Sequence, residues 1–226
     1  MRKITKSVAP ESFAKWVRIK PKDKNENQWF QELYKEPDKQ EKLAIISALS
    51  DHNAQEQFYL CAYCCAKISG QVGDDGDTVN EHVEARAIAP SRSLDYKNIV
   101  ASCKTTNQCD SSHKSQKLPL TPLMDECETE LKFKISGRVE GLTDRAKESI
   151  RVLNLGDNEK NNKALIEKRK QLSHGLIWAN NINPNGEFED ENLIKEVIDD
   201  LLQPKNGKLE PFAPVVANIL RCWIAV

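Results

Sequence analysis

Two short pairs of cysteines constrain the fold of this chain more than any other feature of its sequence. Cys61 and Cys64 are separated by two residues; Cys103 follows after 38 intervening residues, and Cys109 after five more. A two-residue gap forms a tight turn that can direct two thiolates at one ion, and zinc takes four such ligands in a tetrahedron. The wider second gap can still return to the same ion. The four cysteines therefore predict a structural Zn²⁺ site that holds the intervening chain in shape.

Other uses of the seven cysteines are weaker interpretations. The number is odd, and the basic start "MRKITKSVAPESFAKW" lacks the apolar core of a secretory signal, which argues against a disulfide framework. Free cysteines are also often buried as small apolar residues, and we expect this of Cys127 and Cys222. Cys65 could replace Cys64 as a ligand, although the two-residue spacing gives the better turn. No apolar run reaches the ~18 residues of a membrane span, so we expect a cytoplasmic, bacterial protein with no membrane partner.

Charge is nearly balanced over the chain but uneven along it. The net charge of −1 gives no overall attraction to nucleic acid, whereas residues 1–24 carry eight Lys and Arg against two acidic residues. This basic arm could contact phosphates or could be ordinary solvated surface.

Apolar spacing predicts an α+β, mostly α protein. Residues 1–55 form a predicted N-terminal helical and basic arm, because apolar residues recur at helical spacing from Ser12 to Leu49. Clustered cysteines and the loop "SGQVGDDGD" distinguish residues 56–118, which we expect to be a small zinc-stapled domain. Residues 119–226 are predicted to be a C-terminal helical region that includes a short hairpin, because "ELKFKISGRV" alternates and Gly137 marks a turn.

The stretch "NEHVEA", between the cysteine pairs, supplies two groups that phosphodiester hydrolysis needs. His82 can take a proton near neutral pH, and Glu81 can help to hold a hard divalent ion such as Mg²⁺. Adjacent residues of a strand point to opposite faces, so both can reach one substrate only where the strand bends or ends.

These motifs, with Asn98 and with His113 after the second cysteine pair, resemble the His-Asn-His (HNH) nucleases. The resemblance implies a ββα-metal finger, here set in a helical body with a small β-hairpin. His82 would be the general base, and Asn98 would hold the loop that orients it. Glu81 and His113 would be the ligands of a catalytic Mg²⁺ or Mn²⁺. His113 lies four residues after Cys109, so it could instead bind the zinc.

A wider set of segments resembles the PtuB-like HNH effector subunits of Septu and retron anti-phage defence systems. These segments are "CAYC", "EHVEA", "LDYKNIVASC", "CDSSHK", "PLTPLMDECETELKF", "SGRV" and "AKESIRVLNL", with Arg169 beyond them. The resemblance implies an effector endonuclease that acts with a PtuA-like ATPase of the ABC/SMC type. It also admits a retron reverse transcriptase and its msDNA as partners. DNA is the expected substrate, and RNA such as tRNA is the alternative.

Two other functional classes use the same residues differently. A noncatalytic zinc-binding module, with its helices as a protein-interaction surface, shares the four cysteines and needs neither Glu81 nor His82. A cysteine-nucleophile hydrolase needs a thiol beside a base, and the cysteines near His82 are better used as zinc ligands.

Overall fold

The computed structural model describes residues 1–35, 40–158, 160–182 and 191–224, and within them the chain is mostly helical with two small antiparallel hairpins. The elements in chain order are α1 (Glu11–Arg18), α2 (Glu26–Glu32), α3 (Gln40–Glu56), β1 (Thr78–His82), β2 (Ile99–Cys103), α4 (Asp110–His113), β3 (Leu131–Phe133), β4 (Val139–Gly141), α5 (Asp144–Leu153), α6 (Lys163–Ala179), α7 (Glu191–Leu201) and α8 (Ala213–Ile224). The prediction of an α+β, mostly α fold is confirmed. Within the described ranges, no helix combines the length and the apolar character that crossing a membrane requires.

The N-terminal helices pack directly on the first hairpin. Asn25 begins α2 with a capping box, in which its side chain accepts from the Gln28 backbone and the Gln28 side chain accepts from the Asn25 backbone. Phe13, Phe30 and Ile99 lie in one buried cluster, so α1 and α2 share a core with β2. These helices are therefore positioned to form a wall beside the hairpin.

The first hairpin and the short helix after it follow the order strand, strand, helix. β1 and β2 are antiparallel, with Thr78 opposite Cys103 at one end of the ladder and His82 opposite Ile99 at the other. Every residue of β2 is buried. α4 begins directly after Cys109, which adopts a positive φ of 52°.

The second hairpin, β3 and β4, packs on the C-terminal helices. Leu131 and Phe133 are buried, as the alternating pattern predicts, and Gly137 forms the turn with φ +83°. A Cβ at Gly137 would lie 2.1 Å from the carbonyl oxygen of Ile166, so the approach of this turn to α6 requires glycine.

The hydrophobic core crosses the boundaries between the three predicted regions. A single buried cluster includes Ile4, Cys65, Val100, Leu153 and Phe212. The cysteine-containing segment is therefore packed between the chain that precedes it and the chain that follows it.

Candidate metal centre and candidate active-site cleft

The four predicted cysteines form one buried cluster. Their sulfur atoms all lie within 4.8 Å of one another. Cys61 Sγ is 3.8 Å from Cys109 Sγ, and Cys64 Sγ is 3.9 Å from Cys103 Sγ. Tetrahedral zinc with Zn–S bonds of about 2.3 Å places its sulfurs about 3.8 Å apart. The cluster could therefore hold a metal ion such as zinc.

Backbone hydrogen bonds shape the first cysteine turn. The Cys61 N–H donates to the Ala66 carbonyl (2.8 Å), and the Cys65 N–H donates to the Cys61 carbonyl (3.1 Å). Cys65 occupies the left-handed region with φ 62° and closes the turn. Cys64 belongs to the cluster and Cys65 does not. Cys127 is buried as expected, whereas Cys222 is only half-buried.

Polar groups outside the cluster complete the surroundings of the sulfurs. The Gln108 side-chain amide donates to Cys64 Sγ (3.4 Å) and Cys103 Sγ (3.6 Å), and the Cys103 N–H donates to Cys61 Sγ (3.3 Å). Hydrogen bonds from Cys109, Cys61 and Cys64 hold the pKa of Cys103 far below its ordinary value, whereas the hydrogen bond with Cys103 raises the pKa of Cys64 and burial raises that of Cys109. Four clustered sulfurs with N–H donors to them are what a metal site requires, so the donor set fits a metal ion.

A cleft of about 680 Å³ opens between the N-terminal helices and the first hairpin. Glu81 and His82 both line it, although they are adjacent in sequence. Both residues are paired in the ladder, Glu81 opposite Val100 and His82 opposite Ile99, and β1 ends at His82. Tyr34 and Leu43, from the N-terminal segment, also line the cleft and are 45% and 44% exposed.

His82 is held in the tautomer that a general base needs. Its Nε2 donates to the Ser93 carbonyl (2.9 Å), because a carbonyl can only accept, and this leaves the lone pair of Nδ1 available. The Phe30 ring packs edge-on at 4.6 Å between ring centroids. Burial lowers the pKa of His82 to about 4, so the imidazole is neutral at pH 7.

Two carboxyl groups meet beside His82. Glu81 is buried, and burial raises its pKa. Asp110, at the first position of α4, lines the same cleft, and burial together with the neighbouring Glu81 carboxyl raises the pKa of Asp110 to about 8. Carboxyl groups that share a partly buried site resist double ionisation, and a cation between them relieves this repulsion.

His113 lies behind Glu81 and away from the cleft. Its Nε2 donates to the Gln116 carbonyl (2.8 Å), and its Nδ1 is in hydrogen-bond contact with the Glu81 carboxyl. The ring is fully buried, and it is absent from both the cleft lining and the cysteine cluster. The sequence predicted His113 and Glu81 as ligands of one catalytic ion, and this stays a prediction. The structure brings these two side chains into contact, while Asp110 lines the cleft.

Asn98 fastens the loop that follows His82. Its side-chain oxygen accepts from the Glu84 N–H (2.8 Å), its side-chain amide donates to the Glu84 carbonyl (3.0 Å), and its backbone carbonyl accepts from the Val83 N–H (2.9 Å). This geometry is what the predicted loop-holding role requires. Asn98 does not line the cleft, so it acts on the site through the backbone.

Among the described residues, three cations border the cleft. Arg86 lies over the Phe30 ring, 5.2 Å from its centroid, and donates to Asn27 Oδ1 at 3.3 Å. Among the residues that the structure describes, no carboxylate lies within 4.0 Å of Arg86. Lys104 and Lys114 are exposed at the rim. Sequence reasoning missed Arg86, Asp110 and Gln108. For Asp110 the sequence did offer a signal, since this carboxyl group directly follows the predicted zinc ligand Cys109.

Much of the predicted basic arm is neutralised within the chain. Lys6 is buried against Glu56 at 2.6 Å, Lys15 pairs with Glu11 at 2.9 Å, and Lys24 pairs with Glu32 at 3.0 Å. For most of these lysines, pairing within the chain therefore favours the interpretation as ordinary protein surface over contact with phosphates.

A scan against protein-family models finds no match to this chain, and a search of curated proteins finds none either.

Proposed function

We propose that this protein is a metal-dependent endonuclease of the HNH kind, with β1, β2 and α4 as its ββα-metal finger. One observation carries the proposal: the available Nδ1 of a neutral His82 and the carboxyl groups of Glu81 and Asp110 meet at one cleft. A base and a cation site beside each other are the two requirements of phosphodiester hydrolysis.

The proposed reaction begins at His82. Nδ1 takes a proton from a water molecule whose oxygen attacks phosphorus; the new P–O bond forms as the bond to the leaving oxygen breaks, and solvent protonates that oxygen. Glu81 and Asp110 would hold the divalent ion. Mg²⁺ or Mn²⁺ at these two carboxyl groups would supply positive charge against the phosphate and the leaving oxygen.

The neighbouring residues position these groups. The Ser93 carbonyl fixes the His82 tautomer, and Asn98 fixes the loop that starts after His82. His113 orients the Glu81 carboxyl from behind, as outer residues commonly do for metal ligands. Arg86 supplies a positive charge for a phosphate oxygen in the cleft.

The cysteine cluster is proposed to bind zinc in a structural role. Four thiolate ligands leave no open coordination position, which is typical of structural and not of catalytic zinc. Its function would be to hold the turn before β1 and the end of β2 together, and so to fix the finger that carries His82.

The partner and the defence role rest on the sequence resemblance alone. We propose a PtuA-like ATPase as partner, and co-purification from the native operon tests it. Failure to recover an ATPase would remove the defence proposal and leave the nuclease proposal in place.

The nuclease proposal is tested by incubating the protein with plasmid DNA, single-stranded DNA and tRNA in Mg²⁺ or Mn²⁺. We expect metal-dependent cleavage, and we expect His82→Ala to reduce it by roughly 10²- to 10⁴-fold, because the general base is lost. His174→Ala is the matched control, since His174 is half-buried and contacts the Ile135 carbonyl at 3.2 Å, outside the cleft. Cleavage by His82→Ala at the wild-type rate would contradict the proposal. A zinc-loaded wild type that cleaves none of the three substrates, alone or with its co-purified partner, would favour the noncatalytic zinc module.

A further inference from the structure

Arg169 is a fully buried cation whose partners are neutral. It lies on α6 with 0% exposure, and its guanidinium donates to the Gly137 carbonyl (2.7 Å) and the Leu155 carbonyl (3.0 Å). Its Nε has no hydrogen-bond partner among the residues that the structure describes. No carboxylate in the described part of the chain lies within 4.0 Å of it. A buried charge is costly unless an opposite charge compensates it, so the surroundings must supply negative charge from another source.

Cysteine side chains favour the charged form of Arg169, and those of the cluster carry negative charge once a metal ion binds them as thiolates. Burial lowers the pKa of Arg169 to about 10, and the thiols of Cys64, Cys65 and Cys109 act against this by raising it. Two of these three residues belong to the metal cluster. The cluster therefore lies within electrostatic reach of the guanidinium.

Hydrogen bonds also connect the surroundings of Arg169 to the cluster. Arg169 holds the Leu155 carbonyl, and two residues earlier the Leu153 carbonyl accepts from the Cys109 N–H (2.9 Å). At the start of α6, the Asn162 side-chain amide donates to Gln108 Oε1 (2.9 Å), and Gln108 in turn donates to the sulfurs of Cys64 and Cys103. α6 is thus linked to the two halves of the cysteine cluster.

We propose that Arg169 is the internal counter-ion of the zinc–tetrathiolate centre. Four thiolates around one Zn²⁺ leave an excess of negative charge inside the protein, and no carboxylate of the described residues lies within 4.0 Å of Arg169 to compensate its charge. The buried charges of the centre and of the arginine then compensate each other. This inference rests on the zinc part of the proposed function and is independent of nuclease activity.

The test compares zinc affinity among three variants, measured by competition with a chromophoric chelator. Arg169→Met removes the charge, Arg169→Lys keeps it, and Arg151→Met removes an exposed arginine that pairs with Glu148 on α5. We expect Arg169→Met to weaken zinc binding by roughly 10- to 100-fold, which is the usual scale for residues outside the ligand shell. Arg169→Lys should recover most of that loss, and Arg151→Met should bind as the wild type does. Equal zinc affinity of Arg169→Met and the wild type would overturn the inference.

A second measurement uses the wild-type protein alone, in case Arg169→Met does not fold. Hydrogen–deuterium exchange is followed with zinc bound and after its removal by a chelator. We expect the turn at Gly137, which contains no zinc ligand but is held by Arg169, to lose protection when zinc leaves. Unchanged protection of this turn would overturn the inference. A wild type that binds no zinc would instead remove the zinc proposal itself, so the two failures are distinguishable.

Discussion

The cysteine cluster and the cleft border the same short hairpin, and they differ in how far their polar groups are satisfied. Cys103 marks the cluster end and His82 the cleft end, although the cleft lining extends along β1 to Thr78, and Asp110 in the cleft directly follows Cys109 in the cluster. At the cluster end, four cysteine sulfurs face one another, and neighbouring N–H groups donate hydrogen bonds to them. At the cleft end, carboxyl groups crowd together and a cation has no carboxylate partner among the described residues.

On the proposed function, this difference is the one between a structural site and a catalytic one. A closed set of four ligands stabilises the chain around it, whereas unsatisfied groups at an accessible cleft cost stability and are retained for binding or catalysis. Substitution of a cysteine ligand should therefore lower the free energy of unfolding, and substitution of a crowded carboxyl group in the cleft should raise it.

Loss of one cysteine ligand should have the largest effect, because the cleft depends on the cluster. We expect Cys103→Ser to abolish stoichiometric zinc binding and to lower the free energy of unfolding by several kcal/mol, given that structural zinc contributes about 10 kcal/mol in small domains. Cleavage should be lost with it. Zinc analysis measures the bound metal, and urea unfolding measures the free energy of unfolding. Cys222→Ser is the control, since Cys222 is half-buried and outside the cluster. Normal zinc content in Cys103→Ser would contradict the assignment of Cys103 as a zinc ligand.

Substitution in the cleft should remove activity without harming the fold. We expect Asp110→Asn to reduce cleavage at least about 100-fold at low Mg²⁺, because one ligand of the catalytic ion is weakened. Added Mg²⁺ should recover part of the activity. The free energy of unfolding should rise by about 1 kcal/mol, since a crowded carboxyl becomes neutral. Cleavage rates across a Mg²⁺ series test the expected loss of activity, and urea unfolding of the zinc-loaded protein tests the expected gain in stability. A destabilised Asp110→Asn that cleaves normally would contradict the assignment.

Sequence reasoning identified the groups that spacing alone brings together. The two cysteine pairs and the adjacent Glu81 and His82 were recognisable because each lies within a few residues of its partner. Asp110 could not be recognised in this way, since whether Asp110 or His113 lines the cleft depends on how α4 is placed. That placement follows from the positive φ of Cys109 and from the hydrogen bond of Ser112 Oγ to the Val152 carbonyl (2.8 Å), a contact across 40 residues.

Periodicity has a related limit. Leu43 on α3 fits the helical spacing of apolar residues, but a helix face that covers a core and a helix face that lines a cleft have the same pattern. Arg169 shows the limit for charge, because no local pattern distinguishes a buried arginine from a solvated one.

Asn98 holds the loop after His82 at the cleft end, and its removal should have an intermediate effect. Asn98→Ala leaves both the N–H and the carbonyl of Glu84 without their partner, so we expect a loss of about 2 kcal/mol in the free energy of unfolding. Zinc should remain bound, while cleavage falls because the loop after His82 is no longer fixed. Asn158→Ala, at an exposed turn, serves as the control. If Asn98→Ala unfolds at the wild-type urea concentration, the loop does not depend on this side chain.

The rim of the cleft should give the smallest effect, and one that only binding measurements detect. Lys114 is exposed at the end of α4, so a contact with phosphate would be electrostatic and independent of base sequence. In the inactive His82→Ala background, we expect Lys114→Gln to reduce the slope of log Kd against log salt by about 0.7 to 0.9, the value for one released counterion. Zinc content and the urea midpoint should not change. Lys170→Gln, exposed on α6 and outside the cleft, should leave the slope unaltered. Equal slopes for the two variants would place the nucleic acid elsewhere on the surface and separate the cleft from substrate binding.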